Sequence, residues 1–85
     1  MQYMYNPTGI CANTIIIDIN DDETINEVKF VGGCHGNTQG VAALAKGRNI
    51  DDVIESLKGI DCRGRGTSCP DQLAKALELF KEEIL

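Results

Sequence analysis

Thr14-Ile15-Ile16-Ile17-Asp18-Ile19 is the stretch that most restricts how this chain folds. Its β-branched side chains are stiff at χ1 and suit a strand, and the run is too short to read as a helix. Asn20-Asp21-Asp22-Glu23 follows as a cluster of turn formers. Ile25 to Val31 then alternates in part, with Val28 and Phe30 on one face and Lys29 and Val31 on the other. Two strands joined by a short acidic turn predict a β-hairpin. Tyr3 to Tyr5 is a candidate third strand at the sheet edge, closed by Pro7-Thr8-Gly9.

Beyond Gly32-Gly33 the period changes to helical. Val41, Leu44 and Ala45 share one helix face, and Gly47 is placed to stop that helix. Asn49 caps a second helix whose first turn is acidic, with Ile50, Val53, Ile54 and Leu57 as its apolar stripe and Gly59 at its end. Gly59 to Gly66 reads as a loop. Ser68 caps a last helix, with Pro70 in the first turn and Asp71 at the third helical position of a capping box. Leu73, Ala76, Leu77, Phe80 and Ile84 form its buried face, and Lys75 and Lys81 point outward. The order predicts one domain over residues 1–85, of α+β class, with a small antiparallel sheet packed against three C-terminal helices.

A chain of 85 residues has a modest core, which a bound metal or a homodimer interface would support. With 8 Lys and Arg against 13 Asp and Glu, the net charge of −5 offers little to nucleic-acid phosphates. No apolar run is long enough to span a membrane, and the start has neither the basic nor the apolar part of a signal peptide. The expectation is a cytoplasmic protein that binds neither nucleic acid nor membrane. In that compartment thiols stay reduced.

The chain has four cysteines, Cys11, Cys34, Cys62 and Cys69, spaced C-x22-C-x27-C-x6-C. Reduced cysteines in this number read as metal ligands or redox groups before they read as disulfides. The spacing lacks paired C-x2-C knuckles, so a site must be gathered from separate elements by folding. Cys69 opens the last helix, and Cys34 lies in a glycine turn just before the first. Helix N-termini favour the thiolate, the form that binds metal or attacks an electrophile. The glycines around Cys34 let backbone N–H groups approach a sulfide or an anion closely. Gly33, His35, Gly36 and Asn37 are therefore the candidate residues around a bound group, with His35 as ligand or as donor to a bound sulfur. Arg63 and Arg65 flank Cys62 closely enough to favour its thiolate or to hold an anion. No G-x-S-x-G sequence, P-loop or catalytic carboxylate pair is present. An enzymatic activity is not legible.

Thr67-Ser68-Cys69-Pro70-Asp71 resembles the signature of the TSCPD domain family. The likeness runs from Cys11 through Gly33-Cys34-His35-Gly36-Asn37 to Thr67–Leu73, and points to a small four-cysteine branch. Larger relatives carry a similar domain near the C-terminus of vitamin B12-dependent ribonucleotide reductases. The chain is far too short for a reductase barrel, so the resemblance implies at most an accessory role. In its order of elements the chain is also similar to the NifU/IscU iron–sulfur scaffold proteins. There Cys11, Cys34 and Cys69 match three cluster-binding cysteines. Asn13 stands where the scaffold has an aspartate, Ser68 where it has a histidine, and Cys62 is a candidate fourth ligand. The similarity implies a NifU/IscU-like fold and, as protein partner, a reductase or an iron–sulfur client.

Three functions fit these residues. In the first, Cys11, Cys34, Cys62 and Cys69 converge on a zinc ion or an iron–sulfur cluster. In the second, Cys34 or Cys69 is a nucleophilic thiol and Cys62 resolves it, passing electrons or sulfur to a larger enzyme. In the third, the chain is an interaction domain whose cysteines serve only its folding.

Overall fold

The computed structural model describes residues 1–10, 12–32, 35–61, 64 and 66–84, with the side chains of 35–37 excepted. The expected α+β arrangement is present. Strands β1 (Gln2–Tyr5), β2 (Ala12–Ile19) and β3 (Ile25–Gly32) precede helices α1 (His35–Ala45), α2 (Ile50–Leu57) and α3 (Cys69–Ile84). The strands form one sheet in the order β1-β2-β3, antiparallel throughout.

The run of isoleucines forms the central strand. Ile15, Ile17 and Ile19 turn inward and are buried, as are Ile25 and Val28 across from them. Burying one such side chain contributes about 1.5–3 kcal/mol. At the start of β2, Ala12 pairs with Gly32 and Thr14 with Val31, so Asn13 is an extra residue in the ladder. This bulge resets the alternation, and Ala12 and Ile15 are both buried although three positions apart. The hairpin turn is one residue longer than the sequence pattern predicts: β2 ends at Ile19, Asn20 N–H donates to Thr24 O at 2.9 Å, and β3 begins at Ile25. Asp22 Oδ1 accepts from both Thr24 N–H and Thr24 Oγ1–H, which fixes the turn.

The helices begin and end where their caps stand. Asn49 Oδ1 accepts from Asp51 N–H at 2.8 Å, and Ser68 Oγ from Asp71 N–H at 3.1 Å. Gly47 and Gly59 follow the first two helices in the left-handed region, at φ 84° and 87°. Helix α1 packs on β3, and α3 lies between the sheet and α2. Cover on two sides explains why Gln72 and Ala74 are buried outside the expected α3 stripe.

Two residues depart from the expected faces. Leu44 is 74% exposed, because α1 rests on the sheet through Thr38, Val41, Ala42 and Ala45, and position 44 falls to the side of that stripe. Ile84 is 45% exposed, one turn beyond Phe80, where the core ends. Lys75 and Lys81 point outward as expected, paired with Asp71 and Asp51.

Candidate metal centre

Of the four cysteines, Cys69 lies within the described residues. It is the first residue of the 16-residue α3 and is half-buried. Cys11, Cys34 and Cys62 lie outside them, as do Gly33, Arg63 and Arg65. His35, Gly36 and Asn37 form the first turn of α1, so His35 opens the helix, and their side chains lie outside the described set. Among the described residues no group of three or more His, Cys, Asp and Glu side chains is arranged to hold a metal ion.

The start of α3 is fixed by a buried polar lattice. The Thr67 hydroxyl donates to Asp71 Oδ2 at 2.6 Å, and Gly59 N–H donates to Asp71 Oδ1 at 2.6 Å. Burial alone would raise the Asp71 pKa. The Thr67 hydroxyl, the Gly59 N–H and the Lys75 ammonium outweigh it, and the carboxyl is held below the ordinary carboxylate value. Of the expected capping box, the Asp71 N–H bond to Ser68 Oγ is present, while the Asp71 carboxylate is engaged by Gly59 and Thr67. It ties the third residue of α3 to the end of α2. The Ser68 hydroxyl donates to Ile60 O at 2.6 Å, which binds the same loop a second time.

Gln72 extends the lattice toward the N-terminal segment. Its Nε2 donates to Thr67 Oγ1 at 2.8 Å. Its Oε1 accepts from Thr8 N–H at 3.1 Å and from the Tyr5 hydroxyl at 3.3 Å. Gly9, at φ 71°, lies so close to Thr67 that a Cβ there would come within 2.9 Å of Thr67 Cγ2. Asp61 accepts from Gly64 N–H at 2.6 Å and from Gly66 N–H at 2.5 Å, just ahead of α3.

The described neighbours of the cysteines fall into two groups, one around the start of α3 and one across the β2–β3 ladder. Thr8 and Gly9, which precede Cys11, pack on Thr67 and Gln72. Ala12, which follows Cys11, pairs with Gly32, two residues before Cys34. Ile60 and Asp61, which precede Cys62, are bound to the turn that leads into Cys69. Sequence reasoning missed Gln72 and Thr67. The available signal was Thr67, which opens the Thr67–Asp71 signature. Gln72 carries none, since a glutamine on a helix reads as solvated.

A model of the TSCPD domain matches residues 3–81, nearly the whole chain. No match was found among curated proteins or among solved structures. No helix among the described residues is long and apolar enough to cross a membrane.

Proposed function

The chain belongs to the TSCPD domain family, and on that premise we propose that it is a small metal-binding module in which Cys11, Cys34, Cys62 and Cys69 hold one zinc ion or one iron–sulfur cluster. The observation that supports this reading is the set of contacts that join the segment before Cys11 and the segment before Cys62 to the start of α3 at Cys69. Four thiolates suit tetrahedral zinc and suit a cluster equally. The N-terminus of α3 presents N–H groups and partial positive charge to a thiolate at Cys69. The glycine-rich sequence that leads into α1 is of a composition whose backbone N–H groups can approach a bound sulfide.

Anaerobic purification followed by elemental analysis, sulfide assay and visible spectroscopy tests the reading. The expected result is one zinc per chain, or iron with acid-labile sulfide and visible absorption. Cys69→Ser should lower the metal content while leaving the far-ultraviolet dichroism of the fold unchanged. A protein with four titratable thiols that takes up neither metal on reconstitution overturns the proposal.

A further inference from the structure

Gln72 is 2% exposed, yet its carboxamide makes no bond that α3 itself requires. A buried amide is costly unless satisfied, and leucine would fill the same place on a helix without that demand. What the amide does is join two segments distant in sequence. Its oxygen holds Thr8 N–H, three residues before Cys11, and its nitrogen holds Thr67 Oγ1, two residues before Cys69. Gln72 itself stands one helical turn after Cys69, on the same side of α3. Through Thr67 the chain of bonds continues to Asp71 and so to Gly59, at the root of the loop that carries Cys62.

We infer that Gln72 is a positioning residue for the thiol centre: its buried amide holds the segment leading to Cys11 in register with the turn leading to Cys69, before any metal arrives. The inference rests on the metal-binding reading above. Ordering two ligand segments in advance removes part of the entropic cost of closing the site. Groups that orient metal ligands without touching the metal typically change affinity by about 10–100-fold when removed.

The test uses the reduced full chain and Co²⁺ as probe, which reports affinity and ligand geometry in its charge-transfer and d–d bands, with Zn²⁺ affinity measured by competition. Gln72→Met keeps the length of the side chain and removes both hydrogen-bonding functions. It should weaken Co²⁺ and Zn²⁺ binding by about 10-fold or more and alter the d–d envelope. Phe80→Leu, at the far end of the same buried face, serves as the control for general destabilisation and should leave affinity and spectrum as in the wild type. Should Gln72→Met fail to fold, Thr67→Val and Thr67→Ser give the same contrast. The valine removes the hydroxyl that bridges Gln72 and Asp71 and should lose affinity, and the serine restores it. Wild-type affinity and spectrum in folded Gln72→Met, or in Thr67→Val, overturn the inference while leaving the metal site standing. Equal losses in Phe80→Leu and Gln72→Met also overturn it, since the effect is then one of stability. A wild-type chain that binds no Co²⁺ overturns the metal-binding reading itself and this inference with it.

Discussion

Asp71 Oδ1 accepts the backbone N–H of Gly59 at 2.6 Å, so the third residue of α3 holds the chain where it leaves α2, twelve positions earlier in sequence. The other carboxylate oxygen takes the Thr67 hydroxyl, and both side chains are buried. Asp71→Ala strands a backbone N–H and a hydroxyl together. A loss of about 2–4 kcal/mol in urea unfolding of the metal-free protein is expected. A loss below about 0.5 kcal/mol would show the lattice to be incidental.

The same carboxylate gives stability a direction in pH. Its pKa is lowered in the folded chain, because the Thr67, Gly59 and Lys75 contacts outweigh burial. As pH falls, the unfolded chain takes up the proton first. The contribution of Asp71 is thus fully present above the ordinary carboxylate value and is lost as pH falls below about 4 toward the folded-state value. Denaturant midpoints of wild type and Asp71→Asn, followed from pH 7 to pH 3, should converge over that acid range. Parallel curves would remove Asp71 from the acid response.

Two glycines should respond oppositely to alanine. Gly9 has φ 71° and a Cβ there would meet Thr67 Cγ2 at 2.9 Å. Gly9→Ala should destabilise by about 1–3 kcal/mol. Adding Thr67→Ser should recover the steric part and leave the dihedral part. Gly40 lies within α1 with open space where a Cβ would stand, so Gly40→Ala should stabilise by about 0.5–1 kcal/mol. Thermal unfolding of the variants measures both, and a stabilising Gly9→Ala would contradict the close approach.

Leu77 and Leu44 are both leucines on helices, with opposite surroundings. Leu77 is fully buried among the β2 isoleucines and α3 neighbours, and Leu77→Ala should cost about 2–5 kcal/mol. Leu44 is 74% exposed, and Leu44→Gln should shift stability by no more than about 0.5 kcal/mol. Chemical denaturation separates the two, and a large loss at Leu44 would mean that its side chain is covered in solution.

These contrasts mark where the sequence could be read and where it could not. The hairpin was legible because β-branched residues, a turn cluster and partial alternation agreed over residues 14–31. The caps Asn49 and Ser68 were legible because each is a local hydrogen bond written in adjacent residues. Leu44 was misplaced because a helical stripe has a width, and only the partner surface decides which edge residue it covers. Gln72 escaped because its partners Tyr5 and Thr8 are 67 and 64 positions away. Polar contacts at that range leave no periodicity in the chain. The Asn13 bulge was likewise invisible, since an extra residue in one strand is defined only against its partner.

That bulge bears on how the gene can change length. Side chains of a strand alternate sides, so the surplus residue at 13 shifts the phase of everything before it relative to everything after. Deleting one codon there would place Ala12 two positions before Ile15, so plain alternation would keep Ala12, Ile15, Ile17 and Ile19 on the inner face. A one-codon deletion at this corner should therefore be easier to accommodate than one farther along the same strand, where it would turn every residue before it to the opposite face.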